Sequence, residues 1–289
     1  MARGKARATL ELEAAILDVV DERAPITVRG VCYALFTQGR IGSMEVRFTQ
    51  KVSRIMTGMR ESGVLDWTKV VDGSREVATV AQWKDPSQII DAAVAGYRKD
   101  YWKDQPSTVE IWSEKGTVHG VLQPVLREYG VTFRVMKGFG SYTAVRQAAE
   151  DSADAEWLDK DFIAFYIGDH DPSGRYMTDV DLPARLERYG AGGRFERIAI
   201  VQGLDEHLPS FSAGTKKKDP RHRWFVEHHG VTCWELDAMN PNDLRDRVRE
   251  HIESVIDFVK WNRAIAVERA ERESMHEFQQ TWNELWSAN

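Results

Sequence analysis

Two acidic clusters stand at places in the chain where chemistry on a charged substrate would need them. One is Glu114, followed by Lys115 and Gly116, just after the apolar run 108–112. The other is Asp169-His170-Asp171-Pro172-Ser173-Gly174, just after the apolar run 162–167. An apolar strand rarely ends in two acids one residue apart unless something offsets their repulsion. A divalent cation does so well, because Mg2+ takes a few carboxylates together with water and phosphate oxygens. Glu114, Asp169 and Asp171 offer three carboxylates from two strands. The plain alternative needs no metal: Asp169 opens a turn and Asp171 caps the helix that begins at Pro172.

The flanking pattern says what must hold these clusters. From residue 106 onward strands alternate with helices: 108–112 then a helix over 116–129, 131–136 then 141–153, 162–167 then 173–189, and 196–201. Such alternation predicts an α/β domain with a mostly parallel sheet and helices on both faces. Ligands of open sheets of this kind sit at the carboxyl ends of the strands, where both acidic clusters fall. The stretch 203–230 is polar and irregular, 231–236 is a candidate last strand, and a helix over 240–258 is capped from Asn240-Pro241. Glu235 and Asp237, at the end of that last strand, either add acids beside the metal or cap the next helix.

The first 84 residues have a different texture. Residues 7–23 read as an amphipathic helix with Leu10, Ala14, Leu17 and Val20 on one face. A second helix is capped by Thr27 and stopped by Gly39, and a third spans 48–62 with Val52, Ile55, Met56 and Met59 inward. Two β-leaning stretches, 64–71 and 76–83, flank the turn dipeptide Asp72-Gly73. Three short helices and a hairpin are the order of an α+β winged helix-turn-helix domain. Some such domains bind DNA and others only contact protein. Residues 1–60 carry ten Lys and Arg against six acids, within a chain of net charge −6. A basic module on an acidic body favours local nucleic-acid contact over indiscriminate coating. The expected layout is a winged-helix domain over 1–84, a linker helix over 85–105, the sheet domain over 106–258 and a long charged helix over 259–289.

Composition narrows the rest. With 289 residues, 42 % hydrophobic and 29 % charged, the chain can bury a sizeable core. No apolar run is long enough to span a bilayer, so no membrane association is expected. Glu11, Glu13 and Asp18 interrupt any secretory apolar region, and two cysteines, Cys32 and Cys233, suit a reducing cytoplasm. No GxxxxGK[ST] phosphate loop occurs, and Gly138-Phe139-Gly140 is too slight a motif to hold a nucleotide. His222, His228 and His229 have no ligand partners at zinc spacing, and His170 should alternate away from the acids beside it.

A Glu after the first strand with DxDPxG after the third resembles the Toprim domain of topoisomerases, primases and related nucleases. The form DHDPSG resembles most the A subunit of topoisomerase VI and the related meiotic double-strand-break transesterase, over roughly residues 8–258. That family sets a winged-helix domain before the Toprim domain and carries a catalytic tyrosine four residues after an arginine. Arg29 and Tyr33 have that spacing, and helical pitch puts them on one face. Cys32 occupies the place of the first of two tyrosines often found there. Without the resemblance Tyr33 reads as a core residue among Val31, Cys32 and Leu35. The resemblance implies that Tyr33 attacks a DNA phosphate, that Arg29 and Lys115 add positive charge, and that Glu114, Asp169 and Asp171 bind Mg2+, with Mn2+ as a substitute. It also implies double-stranded DNA as partner, a homodimer in which each tyrosine faces the partner's metal site, a nucleoid-associated cytoplasmic protein, and an ATPase carried by a separate subunit. The chain is short for a full A subunit and is similar to reduced, stand-alone forms. Two rivals remain: a Toprim nuclease that uses water, and a non-catalytic DNA-binding regulator or defence component.

Overall fold

The computed structural model describes residues 7–71, 80, 82–136 and 142–287. Its N-terminal part is built on α1 (Arg7–Arg23), α2 (Val28–Thr37) and α3 (Val46–Glu61). Thr27 caps α2, its Oγ1 accepting the Gly30 N–H at 2.9 Å. Gly63 closes α3 at φ +76°, a conformation that favours glycine. Ile16, Val31, Leu35, Val52, Met56 and Met59 form the core of the trio. The buried face of α1 differs from the expected one. It is Leu12, Ala15, Ile16, Val19 and Val20, while Leu10 and Ala14 are exposed. Both sets obey the helical period, and the stripe that wins carries the β-branched Ile16, Val19 and Val20 toward α2 and α3.

The expected hairpin is replaced in its first half. Asp66 accepts the Thr68 N–H at 2.8 Å and caps a 3-10 turn over Trp67–Lys69. Only β2 (Val70–Val71) is extended, and it pairs parallel with β1 (Ile26–Thr27). The Asp72-Gly73 turn and most of 76–83 lie outside the described residues. The linker helix is shorter than expected: α4 (Pro86–Gly96), capped by Asp85, stops well before residue 103. Beyond it the chain runs against α11 (Phe258–Ser287), where the Lys99 N–H donates to Glu268 and the Lys99 ammonium pairs with Glu271.

The α/β body holds β3 (Ser107–Ser113), β4 (Thr132–Val135), β5 (Asp161–Ile167) and β6 (Arg194–Ala199). They form one sheet in the order β4-β3-β5-β6, every neighbouring pair parallel. Alternate side chains feed two cores. Ile111, Phe165 and Ile167 pack against Leu122 and Val125 of α5 (Val118–Tyr129) and Val248 and Ile252 of α10 (Pro241–Glu253). Trp112, Phe162 and Tyr166 pack against Val145 and Ala148 of α6 (Tyr142–Trp157) and Leu182 and Leu186 of α8 (Leu182–Arg188). The helix expected over 173–189 is split into α7 (Pro172–Tyr176), a π turn over Met177–Asp181, and α8. The expected last strand does not join the sheet. Thr232–Trp234 (β8) pairs antiparallel with Ser210–Ser212 (β7) in a separate ribbon, with α9 (His222–His229) between them. No helix among the described residues is long and apolar enough to cross a membrane.

One buried arginine ties the N-terminal trio to the body. The Arg245 guanidinium, from α10, donates to the carbonyls of Arg23, Ala24, Pro25 and Val121. It satisfies the open end of α1 and the loop into α2 at once. Replacing it leaves several buried carbonyls without donors, so Arg245→Ala should cost about 2–3 kcal/mol in urea unfolding. Arg249→Ala, on the solvent side of the same helix, should cost far less. Equal losses would show that Arg245 does not hold the two parts together.

Candidate active site

Strand register brings the two acidic clusters side by side. Ser113 of β3 is level with Ile167 of β5, so Glu114 and the loop 168–174 leave the sheet at neighbouring points. The loop is tightly folded. Asp171 caps α7, its Oδ1 accepting the Gly174 N–H at 2.8 Å. A Cβ on Gly174 would stand 2.3 Å from the Asp169 carbonyl oxygen, so no other residue fits there. The capping role that the sequence left as an alternative is therefore real, and Asp171 belongs to the acid cluster as well. His170 points away, as strand alternation requires. It is fully buried among Phe225, His229 and Trp234, and burial with Arg175 and Arg197 nearby pushes its pKa down to about 3.

The β7–β8 ribbon adds two more acids. His170 and Trp234 exchange backbone hydrogen bonds at 2.9 and 3.0 Å, which lays the chain after β8 against Asp169. The Leu236 N–H then donates to Asp169 Oδ1 at 2.7 Å. Glu235 and Asp237 thereby face the cluster, an arrangement local pattern could not choose because it depends on pairing distant in sequence.

The N-terminal trio closes over the same place. Arg29 grips Glu235 through two hydrogen bonds, of 2.5 and 2.6 Å, and Thr27 Oγ1 donates to Asp237 at 2.9 Å. A cleft of about 870 Å³ results, walled by Thr27, Arg29 and Ser53 on one side and by Glu114, Lys115, Asp169, Glu235 and Asp237 on the other. Arg29 thus meets the acids of its own chain. Tyr33 is 6 % exposed, behind this wall, with the Arg29 guanidinium 5.7 Å from its ring centre. Burial and the Glu235 carboxylate beside its hydroxyl raise its pKa, against the pull of Arg29. Cys32 is likewise buried, and burial pushes its thiol up to about 11, a direction that disfavours the thiolate.

Three cations answer most of the carboxylates. Lys115 Nζ lies 2.8 Å from Asp169 and 2.9 Å from Asp237, and these two acids raise its pKa despite the opposing effect of burial. Lys216, from the turn after β7, pairs with Asp171. Glu114 has no direct ion pair or hydrogen bond to its carboxylate among the described residues, and burial plus the charges of Asp169 and Asp171 raise its pKa. Among the described residues no three His, Cys, Asp or Glu side chains converge as a coordination set, and Lys115 and Lys216 sit on Asp169 and Asp171. The donors nevertheless fit a hard divalent cation: all are carboxylate oxygens, and the one left unanswered points into the same charge cluster.

The raised pKa of Glu114 has a definite consequence for stability. A carboxyl whose folded-state pKa lies above its unfolded value binds more protons folded, so its ionisation destabilises the fold as pH rises through that interval. In metal-free buffer Glu114→Gln should therefore melt at a higher temperature than the wild type at pH 7. The difference should shrink as pH falls toward about 4, where an ordinary glutamate protonates. Thermal melts across that range check this; a Gln variant that is less stable at pH 7 would contradict the assigned environment.

Comparison with protein-family models, with curated proteins and with solved structures returns no match to this chain.

Proposed function

We propose that the chain cleaves DNA phosphodiesters with the help of a divalent cation, as its likeness to the Toprim and winged-helix pair of topoisomerase VI A subunits suggests. The observation that carries this reading is the cleft itself, in which Arg29 of the helical trio and the carboxylates Glu114 and Asp169 of the sheet share one opening. Glu114, Asp169 and Asp171 would hold Mg2+ or Mn2+, which when bound supplies charge to offset the phosphate oxygens and the leaving 3′-oxygen. Lys115 would have to leave Asp169 for that, since it now pairs with Asp169 and Asp237. The exposed face of α3 supports a DNA partner. Arg47, Lys51 and Arg54 line it, and Ser53 of the same helix borders the cleft.

In the first mechanism Tyr33 is the nucleophile. Its oxygen forms a bond to phosphorus while the bond to the 3′-oxygen breaks, giving a 5′-phosphotyrosyl link and a 3′-oxygen that takes a proton from water to leave as the hydroxyl. Glu235, beside the Tyr33 hydroxyl, takes the phenolic proton, and Arg29 turns from Glu235 to the phosphate. The burial of Tyr33 favours a second reading, in which water attacks and Tyr33 is part of the wall. Cleaving both strands by the first route calls for two copies of the chain.

Incubation with supercoiled plasmid and Mg2+ or Mn2+, followed by denaturation with and without protease, tests the proposal. Cleavage that requires the cation and Asp169 is expected, and none would end it. DNA that enters the gel only after proteolysis means a covalent tyrosyl link. Under that mechanism Tyr33→Phe abolishes cleavage while DNA binding survives. Under water attack it costs about tenfold or less, the scale of one hydrogen bond.

Binding should fall steeply with salt, as counterions are released from phosphates. Lys51→Ala combined with Arg54→Ala should lower the slope of log affinity against log salt by about 2. An unchanged slope would place the DNA elsewhere.

A further inference from the structure

Arg197, in β6, is neither paired with a carboxylate among the described residues nor part of the cleft wall, yet its guanidinium is the most heavily engaged side chain near the acidic loop. Nη1 donates to the Gly168 carbonyl at 2.8 Å and to that of Asp169 at 3.3 Å. Nη2 donates to the Gly174 carbonyl at 2.9 Å and to Thr178 Oγ1 at 3.1 Å. Nε also reaches Thr178 Oγ1, at 3.3 Å, and the group stands 5.1 Å from the Tyr166 ring centre. One planar group therefore grasps both ends of the segment that carries Asp169 and Asp171. Desolvation brings its pKa down to about 10, yet it stays charged at neutral pH.

An isolated cation under a loop is a costly choice if the loop only needed packing. A carboxylate partner would have balanced Arg197 more simply, but it would have added another acid beside a cluster that already holds Glu114, Asp169 and Asp171. Carbonyl oxygens accept from the fork without adding a negative charge. They also fix backbone rather than side chain, so the directions in which the two aspartates leave the loop are set from beneath. Lysine cannot do the same, because a single ammonium does not span two loop ends in a planar fork.

We propose that Arg197 is a positioning residue that sets the spacing of the Asp169 and Asp171 carboxylates by clamping both ends of the 168–174 loop. The role in placing a cation rests on the reading of the cleft given above; the clamping of the loop does not. Hydrogen exchange of the full chain compares the wild type with Arg197→Lys, alongside Arg134→Lys. Arg134 is a half-buried arginine of the same sheet, bound to Glu110 at 2.7 and 2.8 Å and making no hydrogen bond to the loop. In Arg197→Lys the amides of Gly174 and Leu236, which are held by Asp171 and Asp169, should exchange about tenfold faster or more, with those of β3 unchanged. Mn2+ binding followed by electron paramagnetic resonance should weaken by about tenfold or more, the usual scale for a residue that orients ligands. Arg134→Lys should do neither. Should Arg197→Lys fail to fold, Thr178→Val removes one anchor of the fork and should give the same local pattern at smaller amplitude.

Unchanged protection at both amides, loss of protection spread evenly over the sheet, or the same pattern in Arg134→Lys would overturn the proposal. If the wild type binds no Mn2+, the metal reading of the cleft falls, while the exchange pattern still decides whether Arg197 clamps the loop.

Discussion

Five carboxylates gathered at one edge of a sheet constitute the constraint around which much of this molecule is arranged. Glu114, Asp169, Asp171, Glu235 and Asp237 come from three separate segments, and like charges so close cannot all ionise without compensation. Arg29, Lys115 and Lys216 each arrive from a different element to supply it. Glu114 remains, with its pKa raised. A fold under selection for stability alone would have little reason to keep that residue acidic. Excess negative charge of this kind, at strand ends and facing an open cleft, is the feature on which the proposed cation site rests.

The same charges draw the two parts of the chain together. The bidentate contact of Arg29 with Glu235 and the Thr27–Asp237 hydrogen bond are made by the first turn of α2 and its cap. Arg245 holds the chain just upstream of that turn through three carbonyls, those of Arg23, Ala24 and Pro25. α2 thus sits with its N-terminal end on the acids, where the positive end of a helix is electrostatically favoured. The arrangement also buries Tyr33. Under the proposed function, a phosphate that competed with Glu235 for Arg29 would loosen one side of the wall in front of Tyr33.

Much of this was legible in the sequence because the features were local. Alternating strand and helix patterns marked a parallel sheet, and the positions of Glu114, Asp169 and Asp171 after apolar runs put them at strand ends, where they are found. Thr27 as a cap and Gly39 as a stop needed only their own neighbours. What was misread or missed depends on distant pairing. The hydrophobic residues of α1 offered two faces with the same period, and only contact with α2 and α3 chooses between them. Residues 231–236 looked like one more strand of the sheet, but the partner of Thr232–Trp234 is Ser210–Ser212, some twenty residues upstream within a polar stretch. The turn at Trp67–Lys69 follows from Asp66 acting as a cap, which outweighs the β-leaning side chains after it. Arg197 and Arg245 left no trace in the pattern, since an arginine in a strand or helix ordinarily reads as a solvated surface group.

The proposed chemistry requires the acidic cleft to take a divalent cation in place of its lysines. Crystals of the chain equilibrated with Mn2+ and measured at a wavelength where manganese scatters anomalously answer this directly. The expected result is an anomalous peak between Glu114, Asp169 and Asp171, with the Lys115 ammonium displaced from Asp169. Density with no peak there, and with Lys115 and Lys216 still seated on Asp169 and Asp171, would contradict it.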